Sequence, residues 1–152
     1  MYTRILVPVD GSPTSDQGLE EAVKLARLTG ARLRLIHVLD LFTYATGMDG
    51  FSMTAELLPV LREAGEKVLA TGKARVEAAG VPVEGALLES LAGRVCDQVV
   101  ADAKTWGAEL IVIGTHGRRG VGRVFMGSDA EQIVRLASSP VLLVRAPEST
   151  VP

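Results

Sequence analysis

Five short apolar runs alternate along the chain with longer segments of helical spacing, and this alternation restricts the fold more than any other feature of the sequence. The runs are Ile5–Val9, Leu33–Leu39, Val83–Leu88, Leu110–Gly114 and Val141–Val144. Runs of Val, Ile and Leu of this length are typical of strands that are buried on both faces of a parallel sheet. Because helices form the crossovers between such strands, the pattern predicts an α/β fold, a three-layer sandwich in which helices cover both faces of a five-stranded parallel sheet.

The segments between the runs carry their apolar residues on one stripe of a helix. The four predicted stripes extend over Leu19–Ala26, Leu58–Ala79, Ala92–Trp106 and Ala130–Ala137. Gly30, Gly80 and Gly107 follow the first three stripes, at the place where a left-handed residue often ends a helix. Gly65 and Gly72 lie inside the second stripe and lower its helix propensity, so the pattern leaves the continuity of that helix open.

The stretch Asp40–Met53 shows neither period and contains two glycines. It is longer than the usual connection between secondary-structure elements. We expect it to be a loop, which is either a lid or binding loop or a disordered segment. Pro59, just beyond it, fits the first turn of the second helix better than the interior of that helix.

Composition argues against several classes of protein. The 152 residues predict a single domain over residues 1–152, and the hydrophobic content of 47% excludes an intrinsically disordered chain. A net charge of −2 and only six aromatic residues argue against nucleic-acid binding. No run approaches the roughly 20 apolar residues that span a bilayer, and the first residues do not form a signal peptide, so no membrane association is expected. The single cysteine, Cys96, cannot form an internal disulfide, and we expect a cytoplasmic protein.

Two of the predicted strands are followed by residues suited to ligand binding, and in open α/β sheets ligands bind beyond the carboxyl ends of the strands. Asp10-Gly11-Ser12-Pro13 follows the first run, and a segment rich in glycine and arginine, 114–128, follows the fourth. Glycines let backbone N–H groups approach an anion, and Gly127-Ser128 opens a helix whose first N–H groups are unpaired. Positive charge in the same segment comes from Arg118, Arg119 and Arg123. The segment predicts a phosphate site, and a surface loop that ends in Ser128 as an ordinary N-cap is the alternative.

The spacing of the glycines after the fourth run forms a specific motif. Gly114, Gly117, Gly127 and Ser128 fit the pattern G-x₂-G-x₉-G-[ST], which is the nucleotide-binding motif of the universal stress protein family. The chain also resembles this family in ILVPVDGS at Ile5–Ser12, IHV at Ile36–Val38, AELIVIGTHG at Ala108–Gly117 and SSPVLLVR at Ser138–Arg145. The resemblance covers essentially the whole chain and is to the ATP-binding members, and it implies a sheet order of 3-2-1-4-5.

The resemblance also implies a set of nucleotide contacts. They are Pro8, Val9, Asp10, Val38, Ile113, Gly114, His116, Gly117, Gly127, Ser128, Asp129 and Ala130. In this set the first strand end contacts adenine and ribose, Val38 packs against the adenine ring, and the helix start holds the terminal phosphates. Asp10 would bind ribose hydroxyls or Mg²⁺.

Four of these positions have a second interpretation. Asp10 also fits a turn before Gly-Ser, and Val38 also fits a plain core position. His116 is a candidate contact, although an exposed loop histidine is the simpler interpretation. Asp129 departs from the family pattern, which has a small apolar residue there; a carboxylate beside phosphates repels them unless it points outward or binds Mg²⁺.

Three functions fit these features. The first is an ATP-binding stress-response or signalling module in which ATP changes conformation or assembly. The second is a slow ATPase or phosphotransferase, for which Asp10 and the arginines supply charge but no residue is evident that would position water. The third is a structural stress dimer without nucleotide, against which the intact glycine spacing argues. A P-loop is absent, and His37, within the second run, is expected to be structural rather than a metal ligand.

The two edge strands of the implied sheet differ in their protection. Val83–Leu88 contains Glu84 and Gly85, as a protected edge does, whereas Val141–Val144 has no charge. We therefore expect a homodimer that pairs through Val141–Val144. The alternative is that the tail Ala146–Pro152 folds back and covers this edge.

Overall fold

The computed structural model describes residues 1–47, 56–115 and 126–145. Within these ranges the strands are β1 (Arg4–Pro8), β2 (Arg32–Asp40), β3 (Val83–Ser90), β4 (Leu110–Gly114) and β5 (Val141–Val144). They form one sheet in the order β3-β2-β1-β4-β5, and every neighbouring pair is parallel. The expected fold class and strand order are confirmed.

Helices occupy the connections. They are α1 (Pro13–Thr29), α2 (Leu41–Gly47), α3 (Leu57–Ala78), α4 (Val95–Trp106) and α5 (Ser128–Leu136). As the sequence predicts, Gly30, Gly80 and Gly107 have a left-handed backbone, with φ of 73° to 74°, just after α1, α3 and α4. None of the helices in the described ranges has the length and apolarity that are needed to cross a membrane.

The expectation of a loop over Asp40–Met53 is wrong for its first half. Asp40 ends β2, and α2 begins at the next residue. An Asp40 carboxylate oxygen accepts a hydrogen bond from the Thr43 N–H at 3.0 Å, which is the contact by which an Asp starts a helix. A helix of seven residues is too short to show an apolar stripe, so periodicity missed it. Residues 48–53 of the stretch lie outside the described ranges.

Helix α3 runs without a break through both of its internal glycines. A Cβ atom at Gly65 would lie 2.7 Å from Leu87 Cδ1 and 2.9 Å from His37 Cδ2, and one at Gly72 would lie 3.0 Å from Leu35 Cδ1. The glycines therefore let α3 approach β2 and β3 closely, and packing compensates for their low helix propensity. Pro59 is the third residue of α3, in the first turn as predicted.

The sheet has a separate apolar core on each face. Alternate residues of the central strands, such as Val7 and Leu35, pack beneath α1 and α3, whereas Leu6 and Ile36 pack beneath α4 and α5. All four side chains are fully buried. Both faces are therefore covered, and the carboxyl ends of the strands form the open rim on which a ligand site can develop.

Candidate functional site

A cavity of about 440 Å³ opens at the carboxyl ends of β1, β2 and β4. The connection from β1 leads to β2 on one side, and the connection from the neighbouring β4 leads to β5 on the other side, so the strand order reverses between β1 and β4. In open α/β sheets this is where ligands bind.

Ten of the twelve predicted nucleotide contacts line this cavity. They are Pro8, Val9, Asp10, Val38, Ile113, Gly114, Gly127, Ser128, Asp129 and Ala130. The other two, His116 and Gly117, lie outside the described residues, as do Arg118, Arg119 and Arg123. The fold thus brings together residues that are more than 100 positions apart in the sequence, whereas their contact with a nucleotide stays a prediction.

The turn between β1 and α1 is held by three hydrogen bonds. An Asp10 carboxylate oxygen accepts from the Ser12 N–H at 2.8 Å, and the Asp10 N–H donates to Ser15 Oγ at 3.1 Å. Ser12 Oγ caps α1 by accepting from the Ser15 N–H at 3.2 Å. Asp10 therefore has the turn role that was the alternative for it, and its second carboxylate oxygen has no hydrogen-bond partner among the described residues. Ser15 also lines the cavity. The sequence motif does not include this residue.

At the other end of the cavity α5 begins. Its N-cap is Gly127, which has no side chain that could accept a capping hydrogen bond, and Ser128 is the first helical residue. The expectation that Ser128 could cap the helix is wrong for this reason. The first N–H groups of a helix have no acceptor within it, and here Ser128, Asp129 and Ala130 line the cavity. These amides and the positive end of the helix dipole form an environment suited to an anion.

The orientation of this helix start is fixed by the residue that follows β4. The Gly127 N–H donates to the Thr115 carbonyl oxygen at 2.6 Å, and the Glu131 N–H donates to the Gly127 carbonyl oxygen at 3.0 Å. Gly127 has φ of −55° and ψ of 147°, a conformation that any residue adopts. The backbone conformation therefore does not require a glycine at this position. The reason that fits its presence is the space that a side chain would take up in the cavity.

Next to the helix start lies Cys96, which is buried in α4. Burial, and then the negative charges of Asp97 and Asp129, raise the pKa of the Cys96 thiol. The thiol is therefore protonated and unsuited to nucleophilic attack or metal binding at neutral pH. The described residues also contain no group of three or more His, Cys, Asp or Glu that could hold a metal ion.

Strand β2 extends past the end of β1, so the last part of the β2 backbone faces the cavity. Pro8, the last residue of β1, pairs with Ile36, whereas β2 continues to Asp40. The Val9 N–H donates to the Ile36 carbonyl oxygen at 2.8 Å, so the even-numbered residues of β2 direct their backbone groups toward β1. The β1-facing N–H and C=O of Val38 have no hydrogen-bond partner among the described residues. The family resemblance points only to the Val38 side chain, although the unequal lengths of the first two apolar runs indicate this overhang.

The far end of the cavity is apolar and comes from two helices that the motif does not include. Leu61, Gly65 and Val68 of α3 line it, together with Tyr44 of α2. Nothing in the glycine motif indicates these residues, because their position depends on how α3 packs against β2. The cavity thus joins a polar end at α5 to an apolar end beneath α2 and α3.

Residues 1–145 match the family described as the universal stress protein family. The chain belongs to this family. It is 31% identical over 148 residues to the universal stress protein MJ0531 of Methanocaldococcus jannaschii, an alignment that covers 97% of this chain and 85% of that protein.

Solved structures show the same similarity. The structure of MJ0577 from the same archaeon superposes with a TM-score of 0.84 at 26% identity, over 98% of this chain and 99% of that one. The universal stress protein from Archaeoglobus fulgidus in complex with dAMP superposes with a TM-score of 0.69 at 26% identity, over 94% and 98% of the two chains. Family membership and the fold are therefore shown, and at least one relative binds an adenine nucleotide.

Proposed function

We propose that this universal stress protein binds an adenine nucleotide, ATP above all, in the cavity, and that occupancy serves stress-response signalling through a change in conformation or assembly. The observation that carries the proposal is that one cavity joins the amide-rich start of α5 to the free backbone edge of Val38. The first group suits phosphates, and the second suits the edge of a base. The relative in complex with dAMP supports the adenine assignment.

The strand order β2-β1-β4 supports one direction for the nucleotide in this proposal. Phosphates bind the amides of Ser128, Asp129 and Ala130 beside β4. The base lies at β2, where the Val38 N–H can donate to the N1 atom of adenine and the Val38 C=O can accept from its amino group. The ribose lies between them, beside Asp10 and Gly114.

Mg²⁺ would be held by Asp10 together with phosphate oxygens. The Asp10 side chain is half-buried at the cavity, and only one of its carboxylate oxygens is used by the turn. One carboxylate oxygen plus phosphate oxygens and water is the usual ligand set of Mg²⁺ at nucleotide sites. When bound, the ion would neutralise phosphate charge.

Titration calorimetry tests the proposal. We expect the purified protein to bind ATP more tightly than adenosine or tripolyphosphate, since only ATP uses both ends of the cavity, and more tightly than GTP, whose base has the opposite hydrogen-bonding edge. Equal affinity for all four compounds, or no binding of ATP, would contradict it. Prolonged incubation followed by ADP analysis shows whether bound ATP is also hydrolysed.

Replacing Asp129 with alanine should strengthen ATP binding in the absence of Mg²⁺ by about fivefold, because a carboxylate at the phosphate end repels the ligand. Asp129 lies in the first turn of α5 and lines the cavity. The matched control is Glu131→Ala: Glu131 is the other acidic residue of the same turn, but it is not among the residues that line the cavity. Calorimetry in EDTA measures both variants. If Asp129→Ala binds ATP no better than Glu131→Ala, Asp129 does not face the phosphates.

We also propose that the protein forms a homodimer through β5, which is an edge strand of the sheet. Leu143 of β5 is exposed, and so are Val134 and Leu136 of α5, which packs on β5. Uncharged edge strands with exposed apolar neighbours favour pairing. The tail Ala146–Pro152, which was the alternative cover for this edge, lies outside the described residues.

Replacing Leu143 with lysine should shift the protein from dimer to monomer at micromolar concentration, because two lysines would meet across the two-fold axis. Sedimentation equilibrium measures this. Leu28→Lys is the control, since Leu28 is a more exposed leucine that belongs to α1 and not to the edge strand. A wild-type protein that is monomeric well above micromolar concentration, or a Leu143→Lys dimer as stable as the control, would exclude this interface.

A further inference from the structure

The hydrogen-bond ladder between β1 and β2 ends at Val9, although β2 continues to Asp40. The register pairs Pro8 with Ile36, and the Val9 N–H donates to the Ile36 carbonyl oxygen. In a parallel ladder the next bond would run from the Val38 N–H to the Val9 carbonyl oxygen. This bond is absent from the structure, although all the residues concerned are described.

The Val9 carbonyl oxygen instead has a side chain as its hydrogen-bond partner. Nδ1 of His37 lies 2.6 Å from the Val9 carbonyl oxygen. A carbonyl oxygen can only accept, so Nδ1 carries the hydrogen and donates it. The imidazole is held in this position from the other side by α3, where the Gly65 backbone leaves just enough room for the ring: a Cβ at Gly65 would lie 2.9 Å from His37 Cδ2.

We propose that His37 is a positioning residue for the nucleobase: by occupying the Val9 carbonyl, it keeps the Val38 N–H free to bind the base edge. A backbone carbonyl that loses its donor takes the nearest alternative, because buried polar groups are almost always paired. Without His37 that alternative is the Val38 N–H, which is the next donor of β2 on the side that faces β1. The His37 side chain therefore determines whether the Val38 N–H pairs with Val9 or stays available to a ligand.

The consequence for recognition of the base rests on the proposed function, the binding of an adenine nucleotide in the cavity. Adenine presents an acceptor at N1 and a donor at its amino group, which match the Val38 N–H and C=O. Hypoxanthine presents the reverse, a donor at N1 and an acceptor at O6. A free Val38 edge therefore favours ATP over inosine triphosphate, and a Val38 N–H that is bonded to Val9 removes half of this preference.

Amide hydrogen exchange of the nucleotide-free wild-type protein tests the first part of the proposal without any variant. We expect the Val38 N–H to exchange rapidly, whereas the N–H of Leu39, which faces β3 in the same strand, is protected. Protection of both amides would overturn the proposal, because the Val38 N–H would then already have a partner.

Two substitutions test the second part. Asparagine has an amide nitrogen as many bonds from Cα as Nδ1 of histidine, so His37→Asn keeps a donor for Val9, whereas His37→Leu keeps none. We expect His37→Leu to slow exchange of the Val38 N–H, to weaken ATP binding about tenfold and to lose most of the preference over inosine triphosphate, because one base hydrogen bond is lost. His37→Asn should stay close to wild type in all three measurements, and affinity for tripolyphosphate should be unchanged in both variants.

The outcomes separate this inference from the proposed function. A wild-type protein that does not bind ATP contradicts the proposed function, while the exchange measurement on Val38 still decides the role of His37 in the ladder. If the wild type binds ATP and His37→Leu keeps both its affinity and its selectivity, the positioning role is wrong. If His37→Leu does not fold, selectivity in His37→Asn decides: loss of the ATP preference there, with the Val9 donor retained, would also overturn it.

Discussion

Replacing Gly127 with valine is expected to lower the affinity for ATP about a hundredfold, because a branched side chain in front of the α5 amides removes about two charge-assisted hydrogen bonds to phosphate. Gly127 is the N-cap of α5 and lines the cavity. Its φ of −55° is open to valine, so the fold should be retained. Titration calorimetry measures the affinity, and thermal unfolding measures the stability.

A graded series distinguishes steric exclusion from unfolding. Gly127→Ala adds one carbon and should lose less affinity than Gly127→Val, with little change in the unfolding temperature of either variant. Adenosine, which has no phosphate, should bind both variants almost as well as it binds the wild type. Wild-type ATP affinity in Gly127→Val would show that phosphates do not lie at the start of α5.

The second large effect concerns the free energy of unfolding. A Cβ at Gly114 would lie 2.6 Å from the carbonyl oxygen of Thr14 and 2.8 Å from its carbonyl carbon, which are backbone atoms of the first turn of α1. These atoms cannot rotate away, so α1 must shift on the sheet. We expect Gly114→Ala to lower the free energy of unfolding by about 3 kcal/mol. For a protein of this size the unfolding temperature should then fall by about 6–12 °C.

Gly85→Ala is the matched control for this prediction. Gly85 is also a strand glycine, and a Cβ there would meet Lys73 Cδ at 3.2 Å. The lysine side chain is flexible and can move at little cost, so this variant should stay within about 0.5 kcal/mol of the wild type. Denaturant unfolding of the two variants compares them directly. Equal stability would mean that the contact between α1 and β4 is not as close as the structure has it.

The strands could be predicted from the sequence because each is an apolar run with a defined end. Their limits differ from the structure by one or two residues: β1 ends at Pro8 rather than Val9, and β3 continues to Ser90. The short helix α2 was missed because seven residues show no period. The pair Asp40 and Thr43, which forms its first hydrogen bond, was the signal that could have found it.

One part of the candidate site could likewise be predicted from the sequence, and the other part could not. The glycine motif places the phosphate end, because a helix start and its glycines are local in the sequence. The apolar end, with Gly65 and Tyr44, depends on how α2 and α3 pack against β2, and no local pattern encodes that. The free edge of Val38 depends on the relative lengths of β1 and β2 and on the side chain of His37. Both are properties of the assembled sheet.

An NMR titration of the amide signals with ATP shows whether one molecule contacts both ends of the cavity. We expect the amides of Gly127–Ala130 and of Val38 to shift together with one affinity, because one molecule contacts both ends of the cavity. A smaller cleft of about 240 Å³ lies between the ends of α1 and α3, beside Gly30 and Gly80, and its amides should not move. Shifts confined to that cleft, or shifts at α5 without any at Val38, would contradict the placement of an adenine nucleotide in this cavity.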